Sequence, residues 1–77
     1  MQITIISFGQ IAEVTGPHPS ISGLPADTDK LLQALHEKYP TLQKLPFRMA
    51  VDKNIIQQNT PLGDGSVVAL LPPYSGG

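Results

Sequence analysis

The stretch Val67-Val68-Ala69-Leu70-Leu71 runs directly into Pro72-Pro73 and then Tyr74-Ser75-Gly76-Gly77. Its reading decides the fold. Five apolar residues are far short of the roughly 20 that cross a bilayer, and the Val-Val start favours a strand. Two prolines cannot continue a sheet, so the strand ends at Leu71. Side chains alternate along a strand, which sends Val67, Ala69 and Leu71 to one face and Val68 and Leu70 to the other. Both faces are apolar, as in a strand covered on both sides. Residues 1–71 are expected to form one domain and residues 72–77 an extended arm. The proline pair stiffens the base of that arm, and glycine at its end needs the least room. Six extended residues reach about 20 Å.

Working outward, Gln2 to Phe8 reads as a first strand. Ile3, Ile5 and Ser7 share one face, and Thr4, Ile6 and Phe8 share the other. Gly9 and Gly16-Pro17 bracket a stretch that reads as a loop, and Ser20–Leu24 reads as a short second strand in a hairpin with the first. Ala26-Asp27-Thr28-Asp29 is a helix start: Asp27 or Thr28 caps, and Asp29 sits where the dipole favours an anion. Leu31, Leu32, Leu35 and Tyr39 form one apolar stripe, and Pro40 stops the helix. Leu42–Pro46 is a connector. Phe47–Val51 reads as a third strand, Asp52-Lys53-Asn54 as a turn and Ile55-Ile56 as a short return strand.

The order β-β-α-β-β predicts an α+β layer pair, one mixed sheet with one main helix across it. The first and last strands are expected side by side at its centre. One helix covers only one sheet face. The other face, with Ile6, Phe8, Val67, Ala69 and Leu71, is therefore expected to meet a partner. The competing expectation is that residues 9–20 fold over it.

Composition excludes several classes of function. The 77 residues include no cysteine, which removes disulfides, thiolate nucleophiles and Cys-based metal sites. His18 and His36 are too few and too far apart for a zinc cage, so no metal is expected. Lys30, Lys38, Lys44, Arg48 and Lys53 are scattered at a net charge of −1, which argues against nucleic acid. The start lacks the basic lead-in and apolar core of a signal peptide, and no stretch suits a membrane, so a cytoplasmic location is expected. Gly63-Asp64-Gly65-Ser66 lacks the lysine and following helix of a phosphate loop and reads as a turn. His36 and Glu37 are adjacent on the helix and do not face each other, so they read as a solvated face. Asp27 and Asp29 read as capping residues rather than metal ligands. What remains is the α-carboxylate at Gly77, ionised at neutral pH and unreactive as an electrophile until activated.

Leu62-Gly63-Asp64-Gly65 with Val68-Ala69-Leu70-Leu71-Pro72-Pro73-Tyr74-Ser75-Gly76-Gly77 resembles the C-terminus of the molybdopterin synthase small subunit family, the MoaD/ThiS-type sulfur carriers. Ile5-Ile6-Ser7-Phe8-Gly9-Gln10-Ile11-Ala12-Glu13-Val14-Thr15-Gly16 resembles that family's first strand and loop. The resemblance implies a ubiquitin-like β-grasp fold. It implies that Gly77 is adenylated by an E1-like enzyme, which uses ATP, and is then converted to a thiocarboxylate. It implies that Pro72, Pro73, Tyr74, Ser75 and Gly76 insert into a large synthase subunit, in a heterotetramer whose catalytic residues lie mainly in that subunit. Sulfur would pass to cyclic pyranopterin monophosphate to build the molybdopterin dithiolene; the chain itself would hold no cofactor. Ser66 and Val67 stand where the family usually has an acidic pair, Asp52 where it commonly has Asn, and Tyr74 where it usually has a small aliphatic residue. A carrier for thiamine thiazole or another thio-product, and a modifier conjugated through Gly77, share the same terminal chemistry. A chain without cysteine that carries transferable sulfur has its terminus as the candidate carrier, and a thiocarboxylate is the better nucleophile.

Overall fold

A computed structural model describes residues 2–21 and 23–73. The expectations for Tyr74, Ser75, Gly76 and Gly77 fall outside those residues. The elements are β1 (Thr4–Ser7), α1 (Gly9–Thr15), α2 (Thr28–Lys38), a 3-10 turn (Pro40–Lys44), β2 (Arg48–Val51), β3 (Asn54–Ile55) and β4 (Val67–Leu71). They form a mixed α+β sheet in the order β1-β4-β2-β3 with its helices on one face. β4 pairs in parallel with β1 and antiparallel with β2.

The reason α2 forms is local. The Asp27 side chain accepts from the Lys30 N–H at 3.0 Å, which satisfies one of the orphan donors of the first turn. A second cap comes from far along the chain: Asn59 Oδ1 accepts from the Asp29 N–H at 2.9 Å. Thr28 exchanges backbone and side-chain bonds with Thr60, so the 57–62 loop is tied to the helix start. Leu31 and Leu35 are fully buried. The helix ends at Lys38, before Tyr39-Pro40, as the proline requires.

The core sits between sheet and helices. Ile5, Val68, Leu70, Met49 and Val51 supply the sheet side, and Ile11, Leu31, Leu35 and Leu42 the other. Ser7 shares this face and is buried. Its hydroxyl accepts from Thr15 Oγ1 at 2.9 Å, which removes the penalty of an unpaired polar atom.

Three expectations are corrected. Residues 9–15, expected as loop, are α1, and Ile11 is buried in the core. The described residues of Ser20–Leu24 are not a strand. Prolines at 19 and 25 and Gly23 interrupt the segment, and the Pro17 carbonyl already takes the Ser7 N–H at 2.9 Å. β1 does lie beside β4, but β4 and β2 are the inner strands and β1 is at the end of the order.

The β2–β3 connection turns on Asp52 and Lys53, both at positive φ (49° and 74°), the signs of a type I′ hairpin turn. Asp52 also grips β4: its carboxylate accepts from the Val67 N–H at 3.0 Å and its N–H donates to the Val67 carbonyl at 2.8 Å.

Candidate functional site: an open sheet face and the root of an arm

Register builds the site. Ile6 lies opposite Ala69, Ala69 opposite Ala50, and Ala50 opposite Ile55. Residues directly opposite in a sheet share a face, so this apolar row crosses all four strands. Val67 lies beside the row at one end, next to Thr4, and Leu71 at the other, next to Arg48. Phe8 follows β1 at that second end, where its N–H donates to the Leu70 carbonyl at 3.0 Å. Phe8, Val67 and Ile55 are exposed at 46%, 39% and 53%. These values matter because the next residues inward, Val68 and Leu70, are at 0%. Alternation thus separates a sealed face from an open one within a single strand.

The structure therefore brings together Ile6, Phe8, Val67, Ala69 and Leu71 on one face, as the alternation predicts. The competing expectation fails for residues 9–15, because α1 buries Ile11 against the opposite, helix-covered face. Two members were missed from sequence. Ile55 joins the face through the hairpin, and Ala50 floors it at 5% exposure. The available signal was the Asp52-Lys53-Asn54 turn, since a two-residue hairpin connection fixes which residue faces Ala50.

Pro72 and Pro73 are partly buried just beyond the end of β4. Arg48 Nε donates to the Pro73 carbonyl at 3.3 Å. Pro72 packs on Gly9, so closely that a Cβ built on Gly9 would lie 2.8 Å from Pro72 Cγ.

The body offers little other chemistry. A groove of about 640 Å³ runs between α2, the 3-10 turn and the 56–59 loop, with Leu32, Phe47, Met49 and Ile56 in its walls. Its Asp29 and His36 are seven positions apart on α2, two turns or about 10 Å, and do not make an acid–base pair. The Asp27 carboxyl is held below the usual carboxylate value, chiefly by the Lys30 N–H. Burial opposes this, and the Asn59 amide and Lys30 charge reinforce it. That is a cap's electrostatics. Among the described residues no three His, Asp or Glu side chains converge as a metal requires, and no helix is long and apolar enough to cross a membrane.

The ThiS family model matches residues 5–77 of the sequence. The chain belongs to the ThiS family. A 32% identical relative is the molybdopterin synthase sulfur carrier subunit of Mycobacterium tuberculosis, aligned over 100% of this chain and 99% of that protein. Among solved structures, this ThiS-family chain superposes with TM-score 0.73 on a chain of the protein–protein complex of subunits 1 and 2 of the molybdopterin-converting factor from Helicobacter pylori. Identity there is 32%, and all of both chains is covered. SAMP1 from Haloferax volcanii matches with TM-score 0.73 at 22% identity, over 97% of this chain and 98% of that one, and shows the shared fold. The ubiquitin-like β-grasp and the sulfur-carrier family resemblance both stand.

Proposed function

We propose that this chain is the sulfur-carrier small subunit of a molybdopterin synthase. The observation that carries the reading is the open row Ile6–Ala69–Ala50–Ile55, continuous at Leu71 with the root of the arm. A protein partner that covers this face receives the arm from the same strand. The relative of known name and the two-subunit complex support that partner being a large synthase subunit. Gly77 is the working residue: an E1-like enzyme adenylates its carboxylate with ATP, releasing pyrophosphate, and sulfide-level sulfur from a donor then displaces AMP to leave a thiocarboxylate. Pro72 to Gly76 carry that group into the large subunit, where its sulfur passes to cyclic pyranopterin monophosphate. The large subunit supplies most catalytic groups, in a cytoplasmic heterotetramer. The carrier holds no cofactor of its own.

The ThiS family match favours one second reading, a carrier whose sulfur enters thiamine thiazole or another thio-product through the same terminal chemistry. Incubation with ATP, an E1-like enzyme and a sulfur donor, followed by intact mass spectrometry, tests both. Replacement of one oxygen by sulfur at Gly77 supports a carrier, and subsequent dithiolene formation with a large synthase subunit selects the first reading. A stable adduct on a lysine of another protein shows a modifier instead. No change with any activating enzyme refutes the proposal.

A further inference from the structure

β4 ends at Leu71, opposite Arg48, and ladder pairing stops there. Pro72 and Pro73 have no N–H to donate, so the backbone at these two residues depends on what its neighbours bring to it. Two neighbours do so, from opposite sides. On the β1 side, Gly9 adopts φ +57°, and its missing Cβ leaves the space that Pro72 occupies. On the β2 side, Arg48 reaches beyond its paired residue and donates Nε–H to the Pro73 carbonyl. Because β4 lies between β1 and β2, the contacts flank the chain at its point of exit.

We propose that Gly9 and Arg48 are positioning residues, a two-sided grip that sets the direction in which the arm leaves the domain. The inference rests on the sulfur-carrier reading and adds to it a requirement on aim. Misplacement of a reacting group by about 1 Å can slow a reaction 100-fold. Binding of the sheet face alone therefore does not secure the chemistry, and the root must also be aimed. Arg48 suits this task because a guanidinium reaches past the strand end and presents its N–H donors in a fixed fork.

The test separates affinity from transfer. Thiocarboxylated wild type, Arg48→Met and Arg48→Lys are each bound to the large subunit. Kd is measured by calorimetry, and the single-turnover rate of sulfur transfer is measured at saturation. Arg48→Met is expected to slow transfer at saturation about tenfold or more, whatever its effect on Kd. Arg48→Lys, which keeps a charged donor within reach of the carbonyl, is expected to recover part of the rate. An unchanged rate in Arg48→Met overturns the grip, as does a loss confined to Kd. A readout independent of function is exchange of the Arg48 Nε proton in the free protein. Slow exchange relative to free arginine supports the grip, and exchange at the free rate overturns it. Failure of wild type to accept sulfur at all would count against the sulfur-carrier reading, while the proton measurement would still judge the grip.

Discussion

Leu70 and Leu71 are chain neighbours on opposite faces of β4, and replacing each in turn separates folding from association. Leu70 is fully buried among Met49, Val68 and the helices. Truncation to Ala removes buried methyl groups and leaves a cavity, a loss of about 2–5 kcal/mol. Each 1 kcal/mol shifts Tm by about 4–8 °C in a domain of this size, so Leu70→Ala lowers Tm by 10 °C or more, or unfolds the chain. Leu71 is only partly buried and lies on the open face. Leu71→Asp should cost the free monomer about 1 kcal/mol or less, as a substitution at a partly solvated position. In the complex the same change loses about 1.5 kcal/mol of apolar burial and places an unpaired carboxylate in a desolvated contact, about 2–5 kcal/mol more. Association with the large subunit is then weakened at least 100-fold. Thermal unfolding of the free variants and calorimetric titration with the large subunit read the two quantities independently. A Leu71→Asp monomer that unfolds while Leu70→Ala folds normally would show the faces to be reversed and refute the register argument.

Other expectations follow from single features. Lys53 at φ 74° bears a left-handed strain of about 1–2 kcal/mol that glycine avoids. After glycine's extra unfolded-state entropy, Lys53→Gly should raise stability by about 0.5–1 kcal/mol, seen as a Tm rise of a few degrees; a fall would show the turn to be misassigned. The Asp27 carboxyl has a lowered pKa in the folded state, so its contribution is present above the unfolded value of about 3.9 and is lost as pH falls through the lower folded value. Asp27→Asn keeps a capping oxygen but not the charge. The Tm difference between about pH 5 and about pH 3 should therefore shrink in Asp27→Asn, and an unchanged difference counts against the assignment. Deleting Gly77 should abolish sulfur transfer while Tm stays nearly constant; a large loss of stability would make the terminus structural.

What the sequence discloses depends on how local its cause is. α2 is legible because the Asp27 cap, the leucine stripe and Pro40 all lie within it. The two faces of β4 are legible because alternation is a local rule. α1 is not, since it spans seven residues, starts on Gly9 at positive φ and has no side-chain cap. The apparent strand at Ser20–Leu24 misleads because its isoleucine and leucine suggest pairing that the flanking prolines disfavour. Asn59 as a second cap and Arg48 on Pro73 depend on long-range register, across 30 and 25 positions. No local periodicity specifies that register, so these parts of the site emerge only from the fold.

The pairing of β1 with β4 joins Thr4 to Val67, positions 63 apart in sequence (67 − 4). Until β4 docks, β1 and the β2–β3 hairpin have no strand between them. Pairings this distant in sequence slow folding relative to chains rich in local contacts. The strand that completes the body is also the one that bears the arm. A chain in which β4 has not yet paired therefore lacks the continuous apolar row across the sheet.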